Sequence, residues 1–242
     1  MMIYICVTLV VIVSFSFFQV AANSNSCSLK YTNWDNEKTC SPLEFVRPHS
    51  ADDVSDIVRA AMKRREKVKV LGGGLSFSGV QLVDDNAGVL LSLDKMNNIL
   101  SVDHDTGLVE VQAGIMIRDL CVELGDKYKL ALPQLGATAS QSIVGATQTG
   151  THGTGTSLGV IAQSIMALRL VDAQGKIHVA SVDENKPLFD AARVGVGAVG
   201  IITSVTLQTV PLFKLKRTSL QERPIWTEKT KLSGVELTNE IE

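Results

Sequence analysis

The sequence is short of aromatic residues (5%), carries a net charge of only −2 and shows no basic stripe with interleaved aromatics. Those absences argue against a nucleic-acid partner. It holds four cysteines in 242 residues, with no C-x-x-C pair and no Cys/His cluster, so no metal site is expected. No internal repeat or low-complexity tract is found, which excludes solenoids and linkers as the main architecture. Glycine and β-branched residues are plentiful. That balance points to a sheet-rich α/β or α+β protein rather than a helical bundle, long enough for one large domain or two small ones.

A single long apolar run is present, Ile3 to Val20, followed by Ala21-Ala22-Asn23. Small residues at Val20 and Ala22 fit a signal-peptidase site, so residues 1–22 read as a signal peptide and the chain as a protein of the secretory pathway, in the ER lumen or secreted. No Lys or Arg precedes the run, and it is about long enough to span a bilayer, so membrane association through an uncleaved anchor is the alternative. Cys6 falls inside this segment. Of the remaining three cysteines, Cys27 and Cys40 could close a short loop, or all three could be unpaired with Cys121 buried as a small apolar residue.

Asn33 to Pro48 reads as an irregular lead-in with one short strand, Leu43 to Arg47. Ser50 is a helix N-cap, with Asp52 and Asp53 in the first turn and Lys63, Arg64 and Arg65 in the last, all favourable to the helix dipole. Val54, Ile57, Val58, Ala61 and Met62 form its apolar face. Strands are expected over Val68–Leu71, Gly88–Leu93, Ile99–Asp103 and Leu108–Ala113, the last two joined through Asp105-Thr106-Gly107. A helix is expected over Met116–Leu124 and a hairpin over Ile165–Val171 and Ile177–Ala180. A short helix over Pro187–Arg193 and a strong strand over Gly200–Val210 complete the pattern. Past Pro211 the sequence turns charged and loses its period, residues 222–242 hold no convincing element, and 214–242 read as the start of a further domain or an unstructured tail.

Two glycine- and hydroxyl-rich segments carry the functional signal. The first, Gly72-Gly73-Gly74-Leu75-Ser76-Phe77-Ser78-Gly79, leaves the end of a predicted strand. The second runs Gly145-Ala146-Thr147-Gln148-Thr149-Gly150-Thr151-His152-Gly153-Thr154-Gly155. Both read as loops outside the core. Glycine lets backbone N–H groups approach a ligand closely, and Ser and Thr add hydroxyls, a combination suited to a phosphate-bearing cofactor held from two sides. A third glycine run, Gly195-Val196-Gly197-Ala198-Val199-Gly200, satisfies G-x-G-x-x-G. It has a helix before it and a strand after it, the reverse of a dinucleotide-binding turn, so it is not read as one. His152 alone gets no acid–base role, and Asp190 and Arg193 read as a surface pair.

Taken in order, several pieces resemble the PCMH-type FAD-binding domain of the vanillyl-alcohol-oxidase superfamily, in particular the sugar-1,4-lactone oxidase (L-gulonolactone oxidase-like) family. They are Asn33-Trp34…Cys40-Ser41-Pro42, Val68 to Gly74 with Ser76, Val109 to Gly114, Leu135-Gly136-Ala137, Thr149 to Gly155 and Phe189 to Arg193. The resemblance implies an α+β fold of two subdomains with mixed and antiparallel sheets over residues 31–213. It implies FAD between the subdomains, its pyrophosphate wrapped by Gly72, Gly73, Gly74, Leu75, Ser76, Phe77 and Ser78. Ala137, Thr138, Ser142, Gly145, Thr151, His152, Gly153 and Thr154 would complete the pocket, and Ile201 or Ile202 would offer backbone contacts near the adenine or flavin. A diphosphate can be held by N–H groups and hydroxyls alone, which accounts for the lack of Lys and Arg in both loops.

Two departures qualify the resemblance. Many family members carry a flavin-linking His at the position of Leu75. Leucine cannot form that bond, so the FAD is expected to be non-covalent, extractable and of lower potential than a tethered one. Gly136 stands where a small residue admits oxygen, which favours oxidase behaviour. Family members also continue into a substrate-binding cap domain that this sequence lacks, and no catalytic acid or base can be named. The implied activity is hydride transfer to flavin from the hydroxyl-bearing carbon of a sugar lactone or polyol, with O₂ as acceptor. The alternatives are a truncated, non-catalytic flavin-binding module and a secreted interaction domain with no cofactor.

Overall fold

The computed structural model describes residues 29–215, so the apolar run, the signal-peptide or anchor reading, Cys27 and the tail beyond 215 lie outside the described residues. Among the described residues no helix is long and apolar enough to cross a membrane.

The chain begins with a hairpin, β1 (Tyr31–Thr32) against β2 (Thr39–Cys40), where the sequence predicted irregular structure. These two-residue strands are too short to show a period. They close because Asn33 N–H donates to Lys38 O (3.0 Å) while Lys38 N–H donates to the Asn33 side-chain oxygen (3.0 Å).

The first subdomain is a parallel sheet of β3 (Glu44–Val46), β4 (Val68–Leu71) and β5 (Val89–Ser92) in the order β3-β5-β4. Helix α1 (Ala51–Arg64) connects β3 to β4. Ser50 caps it in a full capping box. The Ser50 hydroxyl accepts Asp53 N–H (3.0 Å), and Asp53 accepts the N–H groups of His49 and Ser50. Those bonds, the one from His49 first, hold the Asp53 carboxyl below its ordinary pKa. Val54, Val58 and Ala61 are buried, as their spacing requires, whereas Met62 at the end of the same stripe is largely exposed.

The second subdomain is an antiparallel sheet in the order β10-β9-β11-β7-β6, from β6 (Ile99–Asp103), β7 (Leu108–Gln112), β9 (Ile165–Val171), β10 (Ile177–Ser181) and β11 (Ile201–Gln208). A small pair, β8 (Leu130–Ala131) with β12 (Val210–Pro211), lies beside it. Helix α2 (Ile117–Glu123) extends into a π-helical turn, Leu124–Tyr128, that ends on Lys129 in the left-handed region. Helix α3 (Ile143–Gln148) and helix α4 (Lys186–Ala192) complete the fold. One continuous apolar core joins Val54, Val58 and Leu91 of the first subdomain to Val111, Leu120, Ile143, Leu170 and Val205 of the second. This is the α+β, two-subdomain arrangement expected.

Helix α3 corrects the reading of the second glycine segment as a loop throughout. Ser142 caps it, accepting Gly145 N–H (3.3 Å), and Ile143, Val144, Ala146 and Thr147 are buried. Only Thr149 to Gly155 is loop. Burial of those four side chains, Thr147 among them, holds the segment as a helix despite Gly145.

The β9–β10 turn is organised by Asp172, which accepts Gln174 N–H (2.9 Å), Lys176 N–H (2.8 Å) and His178 Nε2 (2.7 Å). Partial burial works against its charge, but His178 and the two amides prevail and hold the carboxyl below its ordinary 3.8. A carboxyl so lowered contributes stability that is complete above 3.8 and fades as pH falls through the lowered value. Asp172→Asn is therefore expected to cost about 1–2 kcal/mol in urea denaturation near neutral pH. The gap to wild type should close in acid below 3.8, and a gap that stays constant into acid would contradict this account.

Candidate cofactor site

The first glycine loop leaves the C-terminal end of β4 and lies directly on the segment that opens α3. A methyl group on Gly73 would sit 2.6 Å from the Ser140 carbonyl oxygen and 3.3 Å from the Gln141 Cα, and one on Gly72 would strike the Ser142 hydroxyl. The absence of side chains is what lets two backbones from different subdomains touch here. Gly74 has φ of 71°, and a Cβ there would lie 2.6 Å from the Tyr31 hydroxyl.

The loop's carbonyls and amides are used unequally. Gly74 O accepts Trp34 N–H (3.3 Å), Leu75 O accepts Trp34 Nε1–H (2.9 Å) and Ser76 O accepts Asn33 Nδ2–H (3.0 Å). The N–H groups of Gly72 to Ser78 find no acceptor among the described residues. Unpaired donors on an accessible loop are what an anion needs. The Ser76 and Ser78 hydroxyls lie 3.0 Å apart on the same stretch, and Phe77 projects outward, its ring edge-on to Trp34 at 5.2 Å.

Ala137, Thr138, Gly145 and Thr154 are exposed, and Thr151, His152 and Gly153 follow α3 in the loop beside them. A chain of short contacts orders these hydroxyls: Gln141 Nε2 donates to Thr151 Oγ1 (3.3 Å), and Thr149 Oγ1 lies 3.5 Å from it. Gly136 backs onto Thr151, whose methyl a Cβ would approach to 2.6 Å. Ser142 is placed differently from the rest. It is buried beneath Gly72, and its hydroxyl accepts the helix N–H of Gly145, so the two serve as a cap under the first loop. His152 Nδ1 bonds the neighbouring Gly153 carbonyl oxygen (2.7 Å). Asp190 pairs with Arg193 at 3.9 Å, the surface pair expected, and more closely with Lys186 (2.5 Å), while the Arg193 guanidinium lies over Phe189.

A match to the sequence profile described as "FAD binding domain" spans residues 42–181, more than half of the chain. The chain belongs to the FAD-binding domain family. This FAD-binding domain is 39% identical over 191 residues to the L-gulonolactone oxidase of Mus musculus, covering 79% of this chain and 42% of that protein. It is 41% identical over 187 residues to the L-gulono-1,4-lactone dehydrogenase of Mycobacterium tuberculosis, covering 77% and 42%. In structure it is similar to the carbohydrate oxidase from Microdochium nivale, with a TM-score of 0.66 and 26% identity over 71% of this chain and 37% of that one. The chain thus spans less than half the length of these relatives.

Not every residue expected at the site is brought to it. Ile202 is buried in the shared core, and the Ile201 side chain lines a separate cavity of about 440 Å³ with Val58, Met62, Val68, Val171 and Val199. No residue of either glycine loop lines that cavity. The backbone of the pair is better placed, because β7 pairs with β11 only from Ser204 onward and leaves the edge at Ile201–Ile202 without a strand on that side. The third glycine run lies between α4 and β11, the order that ruled it out as a dinucleotide turn. It is tied to the end of α3 by Gln148, which donates to Ala192 O (2.7 Å) and accepts Gly197 N–H (3.3 Å). Gln148 and Gln141 carried no sequence signal of their own; amides that bridge loops show only once the loops are adjacent.

The Gly73 contact is with main chain and cannot relax by a rotamer change. Gly73→Ala is expected to destabilise the fold by about 1–3 kcal/mol, as overpacking does. Gly145→Ala meets only the Ser142 side chain at 2.7 Å and should cost less. Urea denaturation of the two variants checks the order, and the reverse order would mean that the loops are not in close contact.

Proposed function

We propose that this chain holds FAD non-covalently between its two subdomains. We further propose that it forms the FAD-binding part of an oxidoreductase acting on a sugar lactone or related polyol. The observation that carries the reading is the row of unused amides from Gly72 to Ser78, in a loop that rests on Ser140–Gly145, where Gln141 holds the Thr151 hydroxyl; neither glycine-rich loop contains Lys or Arg. That donor set suits a diphosphate, which several N–H groups and hydroxyls can satisfy without a cation. The similarity to a gulonolactone oxidase and a gulonolactone dehydrogenase supports the substrate class and favours a catalytic role over a non-catalytic flavin module.

In this reading the Gly72–Ser78 amides hold the diphosphate, Ala137, Thr138 and the Thr151–Thr154 turn border the flavin side, and the backbone edge at Ile201–Ile202 faces the adenine. When bound, FAD supplies acceptance of a hydride from a carbinol carbon and return of the electrons to an acceptor. The residues of this chain bind, orient and shield it. Glycine at 136, the small residue that the family resemblance links to oxidase behaviour, supports O₂ as that acceptor, although the Thr151 methyl already occupies the place a Cβ would take. The Ile3–Val20 run supports a secretory location, with membrane attachment as the alternative.

The test is reconstitution of the full chain with FAD. Bound flavin should quench the fluorescence of Trp34, which adjoins the first loop, and raise the melting temperature, as any ligand selective for the native state does. Acid precipitation should release all the yellow colour, since Leu75 offers no atom for a covalent bond. No quenching and no shift in melting at excess FAD would sink the cofactor reading; colour held in the pellet would sink the non-covalent one.

A further inference from the structure

The hairpin that precedes the first subdomain has a function beyond closing the chain. We propose that Asn33 and Trp34 are positioning residues for diphosphate binding, holding the carbonyls of Gly74, Leu75 and Ser76 on one side so that the N–H groups of Leu75, Ser76 and Phe77 face the other. The inference rests on the FAD reading above and adds to it the device that makes the site.

The argument is one of peptide geometry. In a trans peptide the C=O of one residue and the N–H of the next point in opposite directions, and the described chain has no cis bond. Fixing the Gly74 carbonyl therefore fixes the Leu75 N–H, and likewise Leu75 with Ser76 and Ser76 with Phe77. The carbonyls are held by three donors from two consecutive residues: Trp34 N–H, Trp34 Nε1–H and Asn33 Nδ2–H. Gly74, with φ of 71°, does not fix the first of these peptides by itself, because glycine populates both signs of φ. An external clamp has to supply the orientation.

The clamp is itself rigid. Asn33 is 2% exposed and anchored by its own N–H and side-chain oxygen to Lys38 across the hairpin. Trp34 is 53% exposed, so core packing does not explain a tryptophan at this place. What its ring secures is the bond to Leu75 O and the edge contact with Phe77.

The test compares wild type, Trp34→Phe and Asn33→Asp in the full chain. Phenylalanine keeps an aromatic ring against Phe77 but removes the Nε1 donor. Aspartate keeps the acceptor for Lys38 N–H but turns an oxygen toward the Ser76 carbonyl. FAD affinity is read by quenching of flavin fluorescence, and ADP and adenosine are read as competitors. Both variants should bind FAD and ADP about tenfold or more weaker, a loss of about 1.4 kcal/mol. Adenosine affinity should stay near wild type in both variants, and the melting temperature of unliganded Trp34→Phe should stay near wild type; Asn33→Asp buries a carboxylate beside a carbonyl and is expected to melt lower, so it is judged on the ADP-to-adenosine contrast alone.

Unchanged ADP affinity in both variants would overturn the clamp. So would an equal loss of ADP and adenosine in both variants with a lowered melting temperature of Trp34→Phe, which would make the two residues merely structural. Failure of wild type to bind FAD or ADP would instead remove the FAD reading, and this inference with it.

Discussion

A backbone amide can be offered to a ligand only if the protein does not use it, and it can be offered in a fixed direction only if the peptide is held by its other end. The first glycine loop meets both conditions. Its amides from Gly72 to Ser78 are free among the described residues while three of its carbonyls are bonded by Asn33 and Trp34. Leaving donors unpaired is tolerable on an accessible loop because water can satisfy them until a ligand does. The absence of Lys and Arg follows from the same arrangement. Charge-assisted bonds from several preset dipoles can hold a diphosphate, and no cation is needed to supply the affinity.

The site depends on both sheets at once. The first loop is an extension of β4, an edge strand of the parallel sheet, and the surface it rests on, Ser140 to Gly145, belongs to the antiparallel subdomain. That surface is anchored in turn: Ile143 N–H donates to Ile115 O, Ile117 N–H to Gln141 O, and Met116 bridges Ser142. Because one apolar core runs through both subdomains, a change that loosens either sheet is transmitted to the separation of the loops. The two-sided grip is thus a consequence of the fold and not of the loops alone.

Much of this was legible in the sequence, and the reasons differ from one element to the next. Helix α1 was readable because a cap, a charged first turn, a basic last turn and an apolar stripe agree along one stretch. The reversed order around Gly195–Gly200 was readable because a short helix and a strongly β-branched strand flank it. The β1–β2 hairpin was not, since strands of two residues have no period and their closure depends on Asn33 and Lys38 facing each other across a turn. Helix α3 was missed because Gly145 and Thr147 are poor helix formers, while the buried side chains that decide the matter, Ile143, Val144, Ala146 and Thr147, lie on both sides of Gly145. At the site, the composition of both loops was readable, but which hydroxyls face outward was not. Ser142 and Thr147 look like their neighbours in sequence, but Ser142 is consumed by the cap of α3 and the Thr147 hydroxyl by the Val144 carbonyl inside it.

Leucine at position 75 gives the clamp its weight. A flavin tethered through a side chain at that point would stay in place whether or not every amide of the loop were well aimed, because a covalent bond makes the remaining contacts intramolecular. Leu75 offers no such bond, and in the non-covalent reading proposed above retention of the cofactor rests on the summed strength of the contacts. Three of the amides on offer owe their direction to Asn33 and Trp34. The Leu75 backbone also carries part of the clamp, its carbonyl bonded to Trp34 and its N–H set by the Gly74 carbonyl. The residue that removes the tether thus takes part, through its main chain, in the arrangement that must replace it.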